Sequence, residues 1–103
     1  MSYPWQKFFG AVSCLIGSGD MRSRLKDAAV TLTTLNRDDF PRSLQQEFAD
    51  LMADLSKVQA IGHDIEGAIA RTIDGENEEG LNKLAERILA IYDRVVRLEP
   101  SME

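Results

Sequence analysis

The chain has 103 residues, 44% of them hydrophobic and 28% charged; that length makes one domain, residues 1–103, able to bury roughly two-thirds of its unfolded surface without a disulfide or a metal. The formal net charge is −5 and is unevenly placed: residues 1–42 carry six Lys or Arg against four Asp or Glu, and residues 43–103 carry six against thirteen. Wholesale disorder is excluded by this composition, and an acidic surface that repels phosphate backbones argues against nucleic-acid binding.

The first helix is read from Trp5, Phe8, Phe9, Val12, Leu15 and Ile16, whose spacing makes one face of a 3.6-residue helix. Pro4 suits its first turn, and Gly17 and Gly19 suit its end. Lys7 followed by Phe8–Gly17 has the outline of a signal peptide, and Ala11-Val12-Ser13-Cys14 that of a lipoprotein box. The apolar stretch ahead of Cys14 is too short for either, and only one charge precedes it. No run approaches the roughly 18–20 apolar residues that span a bilayer. The single Cys14 cannot form an internal disulfide, so a reducing, cytoplasmic setting is expected.

Ser18 or Asp20 can cap a second helix lined by Met21, Leu25, Ala28, Ala29, Leu32 and Leu35. Thr31, Thr33 and Thr34 weaken its end, because branching at Cβ restricts χ1. The basic stretch Arg22, Arg24, Lys26 is interrupted by Asp20 and Asp27 and has no interleaved aromatics, so it reads as a solvated helix face. Asn36-Arg37-Asp38-Asp39 is a turn, with Asp39 as the expected cap of the next helix and Pro41 near its start.

From there Leu44, Phe48, Leu51, Leu55, Val58, Gly62, Ile65 and Ile69 repeat at 4-3-4-3-4-3-4 spacing, the signature of coiled-coil-like packing. After the polar turn Asp74-Gly75-Glu76-Asn77, a last helix places Leu81, Leu84, Ile88, Ile91, Val95 and Leu98 at 3-4-3-4-3 spacing and stops before Pro100. The expected fold is therefore all-α: a small four-helix bundle built on a long antiparallel hairpin of residues 41–73 and 77–98, with two shorter N-terminal helices. An unbroken 41–73 helix would be about 50 Å long and its mate about 33 Å. Residues 44–55 of the seam then need cover from the first two helices or from another molecule. Alternatively Gly62 or Gly67 breaks the long helix, since each costs about 1 kcal/mol in a helix interior.

Candidate chemistry is sparse. His63-Asp64-Ile65-Glu66-Gly67-Ala68 resembles the His-x-x-Lys-Gly motif of histidine phosphotransfer domains. The resemblance implies a four-helix bundle in which an exposed His63 accepts a phosphoryl group. The family's lysine is Glu66 here, a carboxylate that would repel the incoming phosphate. Asp74, Glu76 and Glu78 stand at alternate positions as in a calcium loop, but Glu79 and Ala85 occupy the places that need glycine and glutamate. Gly17-Ser18-Gly19-Asp20 lacks the lysine of a phosphate loop, and Cys14 has no histidine nearby in sequence to activate it. No cofactor, metal, small molecule, membrane or nucleic acid is indicated.

The expectation is a non-enzymatic interaction or assembly protein that acts through helix packing, as a homodimer or with a protein partner. Its candidate interface is Trp5, Phe8, Phe9, Leu44, Phe48 and Leu51, because aromatic anchors are enriched at interface hot spots.

Overall fold

The computed structural model describes the backbone of residues 3–58 and 64–98 and the side chains of residues 4–58 and 64–97. Among the described residues it contains five α-helices and no strand. Helix α1, Tyr3–Leu15, turns its Phe8, Ala11 and Leu15 into the core. Its end is closed twice over. Gly19 takes a left-handed φ of 102°, a conformation that favours glycine. The Arg24 guanidinium donates to the Leu15 carbonyl at 2.6 Å, one of the acceptors a helix leaves open at its C-terminus.

Helix α2, Met21–Thr31, starts at Asp20, whose carboxylate accepts from the Ser23 N–H at 2.8 Å. That hydrogen bond holds the Asp20 carboxyl below its ordinary range, helped by the nearby cations Arg22 and Lys26. Thr31 and Thr33 turn their hydroxyls back onto the carbonyls of Asp27 and Val30, at 2.9 and 2.7 Å. Such back-bonding loosens a helix end, and here α2 gives way to a 3₁₀ turn over Leu32–Thr34. Helices α1 and α2 lie close together because Gly10 faces Thr31 and the alanines Ala11, Ala28 and Ala29 are buried.

Asp39 does not cap the following helix. Its carboxylate accepts from the Asn36 N–H at 2.8 Å and closes a separate 3₁₀ turn, Arg37–Asp39. Helix α3, Arg42–Leu55, then begins behind Pro41, where Gln45 reaches back to the Phe40 carbonyl at 3.1 Å.

The main departure from the expected bundle follows. The residue 41–73 segment is two helices, and the four-helix arrangement becomes five. Helix α3 stops at Leu55, where the Ser56 hydroxyl donates to the Met52 carbonyl at 2.7 Å. Helix α4, Ile65–Asp74, packs against α2 and α3. Gly67, one of the two expected breaking points, sits inside α4, and Gly62 lies outside the described residues. The physical reason is cover. A continuous helix would be about 50 Å long, whereas the C-terminal helix that could cover it, Glu78–Leu98, spans only about 32 Å. Breaking it buries Ala68, Ile69, Thr72 and Ile73, and leaves the seam positions Val58 and Ile65 exposed. Thr72 ties α4 to the stretch just past α3 by accepting from the Val58 N–H at 2.9 Å and donating to the Ala68 carbonyl at 2.8 Å.

Helix α5, Glu78–Leu98, is capped by Asn77, whose side chain accepts from the Gly80 N–H at 2.8 Å. It buries Leu81, Leu84, Ile88, Ile91 and Val95, the 3-4-3-4 row read from the sequence. Its principal neighbours are α1 and α3. Arg87 pairs with Asp54 at 2.7 Å, and Arg94 pairs with Glu47, so α3 and α5 run antiparallel. The shortest dimension of the molecule is 19 Å, about two helix diameters, so most helices keep one side in water.

Candidate functional site

The residue 44–55 seam is covered from within the chain. Phe8 packs edge-on against Phe40 and Phe48, at 5.9 and 6.2 Å between ring centroids, and Phe40 and Phe48 lie 4.4 Å apart. Leu44 and Leu51 are fully buried in the same core, with α5 across from them. Of the six residues expected at an interface, Phe8, Leu44, Phe48 and Leu51 therefore form this core. Trp5 packs against the core at its edge, and Phe9 is 52% exposed.

Phe9 belongs to a surface that the sequence pattern contains but does not announce. Its ring stacks on Trp5 at 5.7 Å with 6° between planes, and meets Tyr92 of α5 at 6.5 Å. Further along α1, Val12 and Ile16 lie beside Ala85 and Leu89 of α5, so the two helices run antiparallel. An open depression of about 340 Å³ lies between the two helices, and a second of about 580 Å³, lined by α5 residues alone, adjoins it at Glu86 and Leu89, so that the two make one apolar strip. Within it Ile16 is 79% and Leu89 52% exposed. Exposed apolar residues scattered singly need no explanation; here Phe9, Ile16 and Leu89 lie along one face. The signal was present as a second heptad row on α5. Ala85, Leu89, Tyr92 and Val96 follow 4-3-4 spacing, one step around the helix from the buried row.

The other candidates are placed as follows. His63, the histidine of the phosphotransfer resemblance, lies outside the described residues, and Glu66 is exposed in the first turn of α4. Of the calcium-like acids, Asp74 pairs with Lys26 at 2.6 Å and Glu76 with Lys57 at 3.7 Å. No group of three or more His, Cys, Asp or Glu is placed to hold a metal among the described residues. A charged depression beside Asp54, Lys57, Glu76, Glu79, Lys83 and Arg87 has each of these charges in an ion pair. Cys14 is half-buried against the core. No described helix is long and apolar enough to cross a membrane.

Comparison with protein-family models, curated proteins and solved structures yields no match.

Proposed function

We propose that this chain is a non-enzymatic interaction or assembly protein that works by helix packing, as a homodimer or as an adaptor for another protein. The observation that carries this reading is the apolar face shared by α1 and α5, where Phe9, Ile16 and Leu89 are left largely in water. Their exposure costs roughly 25 cal/mol per Å² of apolar surface that a partner would cover. The seam of residues 44–55 does not contribute, since the chain's own helices fill it.

The test uses Ile16→Asp and Leu89→Asp, alone and together. Both side chains are exposed, so the variants are expected to keep the wild-type circular dichroism spectrum. Sedimentation velocity follows self-association, and chemical crosslinking in lysate of the source cell follows binding to other proteins. The expected result is a complex formed by the wild type and lost in the double variant. A monomeric wild type whose crosslinks are unchanged by both substitutions would falsify the reading.

A further inference from the structure

The groove between α1 and α5 has a definite shape. The row Trp5, Phe9, Val12 and Ile16 and the row Ala85, Leu89, Tyr92 and Val96 are both spaced 4-3-4; Val12 and Ile16 line the depression between the helices, and Phe9 continues their row to Tyr92. The walls run antiparallel, with Phe9 beside Tyr92 and Ile16 beside Leu89. Two parallel-sided rows at this spacing are what a third helix packs against, its own side chains dropping between theirs. From Ala85 to Val96 the wall rises about 17 Å, which is three turns of an opposing helix.

The charges around the groove decide what kind of helix fits. No residue lining its two depressions is Lys or Arg. The α5 rim carries Glu86, which has no ion pair among the described residues, and Asp93, which shares its charge with Arg97 at 3.0 Å on the exposed surface. Toward the start of α5 the surface continues past Met21 and Asn82 to Asp20 and Glu78, beside which Arg22 donates to the Ile73 carbonyl. The exposed side chains on the α1 rim are the uncharged Gln6 and Ser13. One flank of the groove is thus acidic and the other polar and neutral.

We infer that the groove binds an amphipathic helix of three to four turns from another protein, whose apolar row fills the groove and whose α5-side flank carries Lys or Arg. This deepens the interaction reading above and rests on it. A second copy fits less well. It brings another charge of −5 and no cation from its own groove lining to meet Glu86 and Asp93. An anionic membrane surface would be repelled by the same acids.

Two 18-residue synthetic peptides test the assignment. Both carry Leu at 4-3-4 spacing; the flanking positions are Lys in one and Glu in the other. Trp5, the only tryptophan of the chain, stacks on Phe9 at the groove's edge and reports occupancy by fluorescence. The Lys peptide is expected to bind the full chain at least tenfold more tightly than the Glu peptide, with affinity falling as salt is raised. Leu89→Asp should abolish binding of both, and the pair Glu86→Lys and Asp93→Lys should reverse the preference. Equal affinity for the two peptides, no binding of either, or binding that survives Leu89→Asp overturns the inference. So does a wild-type dimer that Leu89→Asp dissociates, or partitioning onto zwitterionic vesicles that the same variant prevents. The dimer result would leave the broader interaction reading standing and replace only the occupant.

Discussion

Phe8 and Phe9 are neighbours in sequence with opposite fates, and the difference is one of helical phase. A step of 100° carries the chain from the core to the rim of the groove, so Phe8 is fully buried between Phe40 and Phe48 while Phe9 stands half in solvent. Truncating Phe8 leaves a cavity among rings that cannot close over it, so Phe8→Ala should cost about 3–5 kcal/mol. Phe9→Ala removes a stacking partner from Trp5 and a contact with Tyr92, a loss of about 1 kcal/mol. Urea denaturation of the two variants measures both. Equal losses would mean that the two rings are not divided between core and surface in this way. The sequence grouped both rings as one aromatic face, because apolar spacing alone identifies a broad stripe and not which edge of it meets water. Trp5, midway between them in exposure, shows the same ambiguity.

At the scale of elements, most of the architecture was legible. Helices α1 and α2, the turn at residues 36–39, the turn at residues 74–77 and the buried row of α5 all follow from apolar spacing, Asp and Asn caps, and glycine. The reading failed at the end of α2, which turns 3₁₀ after Thr31, and at the start of α3, where Asp39 closes a 3₁₀ turn instead of capping the helix. It failed most widely between Leu55 and Ile65, where the cause is specific. Leu55, Val58, Gly62, Ile65 and Ile69 keep heptad spacing across a segment that is not one helix, so two separate amphipathic stripes read as one. Periodicity records which residues would share a face if the helix continued; it holds no information on whether anything is there to cover that face. Tertiary cover decided the matter, and Thr72 holds the outcome in place. Replacing its hydroxyl by a methyl in Thr72→Val keeps the shape and strands the Val58 N–H, which its hydroxyl now accepts. The expected loss is about 1–2 kcal/mol, together with faster hydrogen exchange at the Val58 amide. An unchanged exchange rate there would show that this hydrogen bond does not tie α4 to the stretch just past α3.

The molecule as a whole is two helix layers thick, and that thinness shapes its chemistry. With one side of most helices facing water, a second apolar row on a helix has nowhere inside the fold to go, and α5 carries two such rows. One is spent on α1 and α3 and the other remains on the outside, beside the aromatic edge of α1. The resulting groove is walled by α1, with Ile16 just past its end, and by α5; of the described residues between Ile16 and α5, Met21 alone adds to its lining. During synthesis this surface therefore cannot form before α5 has emerged. The α5 residues Leu81, Leu84, Ile88, Ile91 and Val95 belong to the same core as Phe8, Phe40 and Phe48, so core and groove are completed together. A chain ending at Asn77 should leave Trp5 with the emission of a water-exposed indole, whereas the complete chain shifts it to shorter wavelength; identical spectra would contradict this. A partner that recognises the groove therefore engages only molecules in which α1 and α5 are packed together, and passes over any in which α5 is missing or detached.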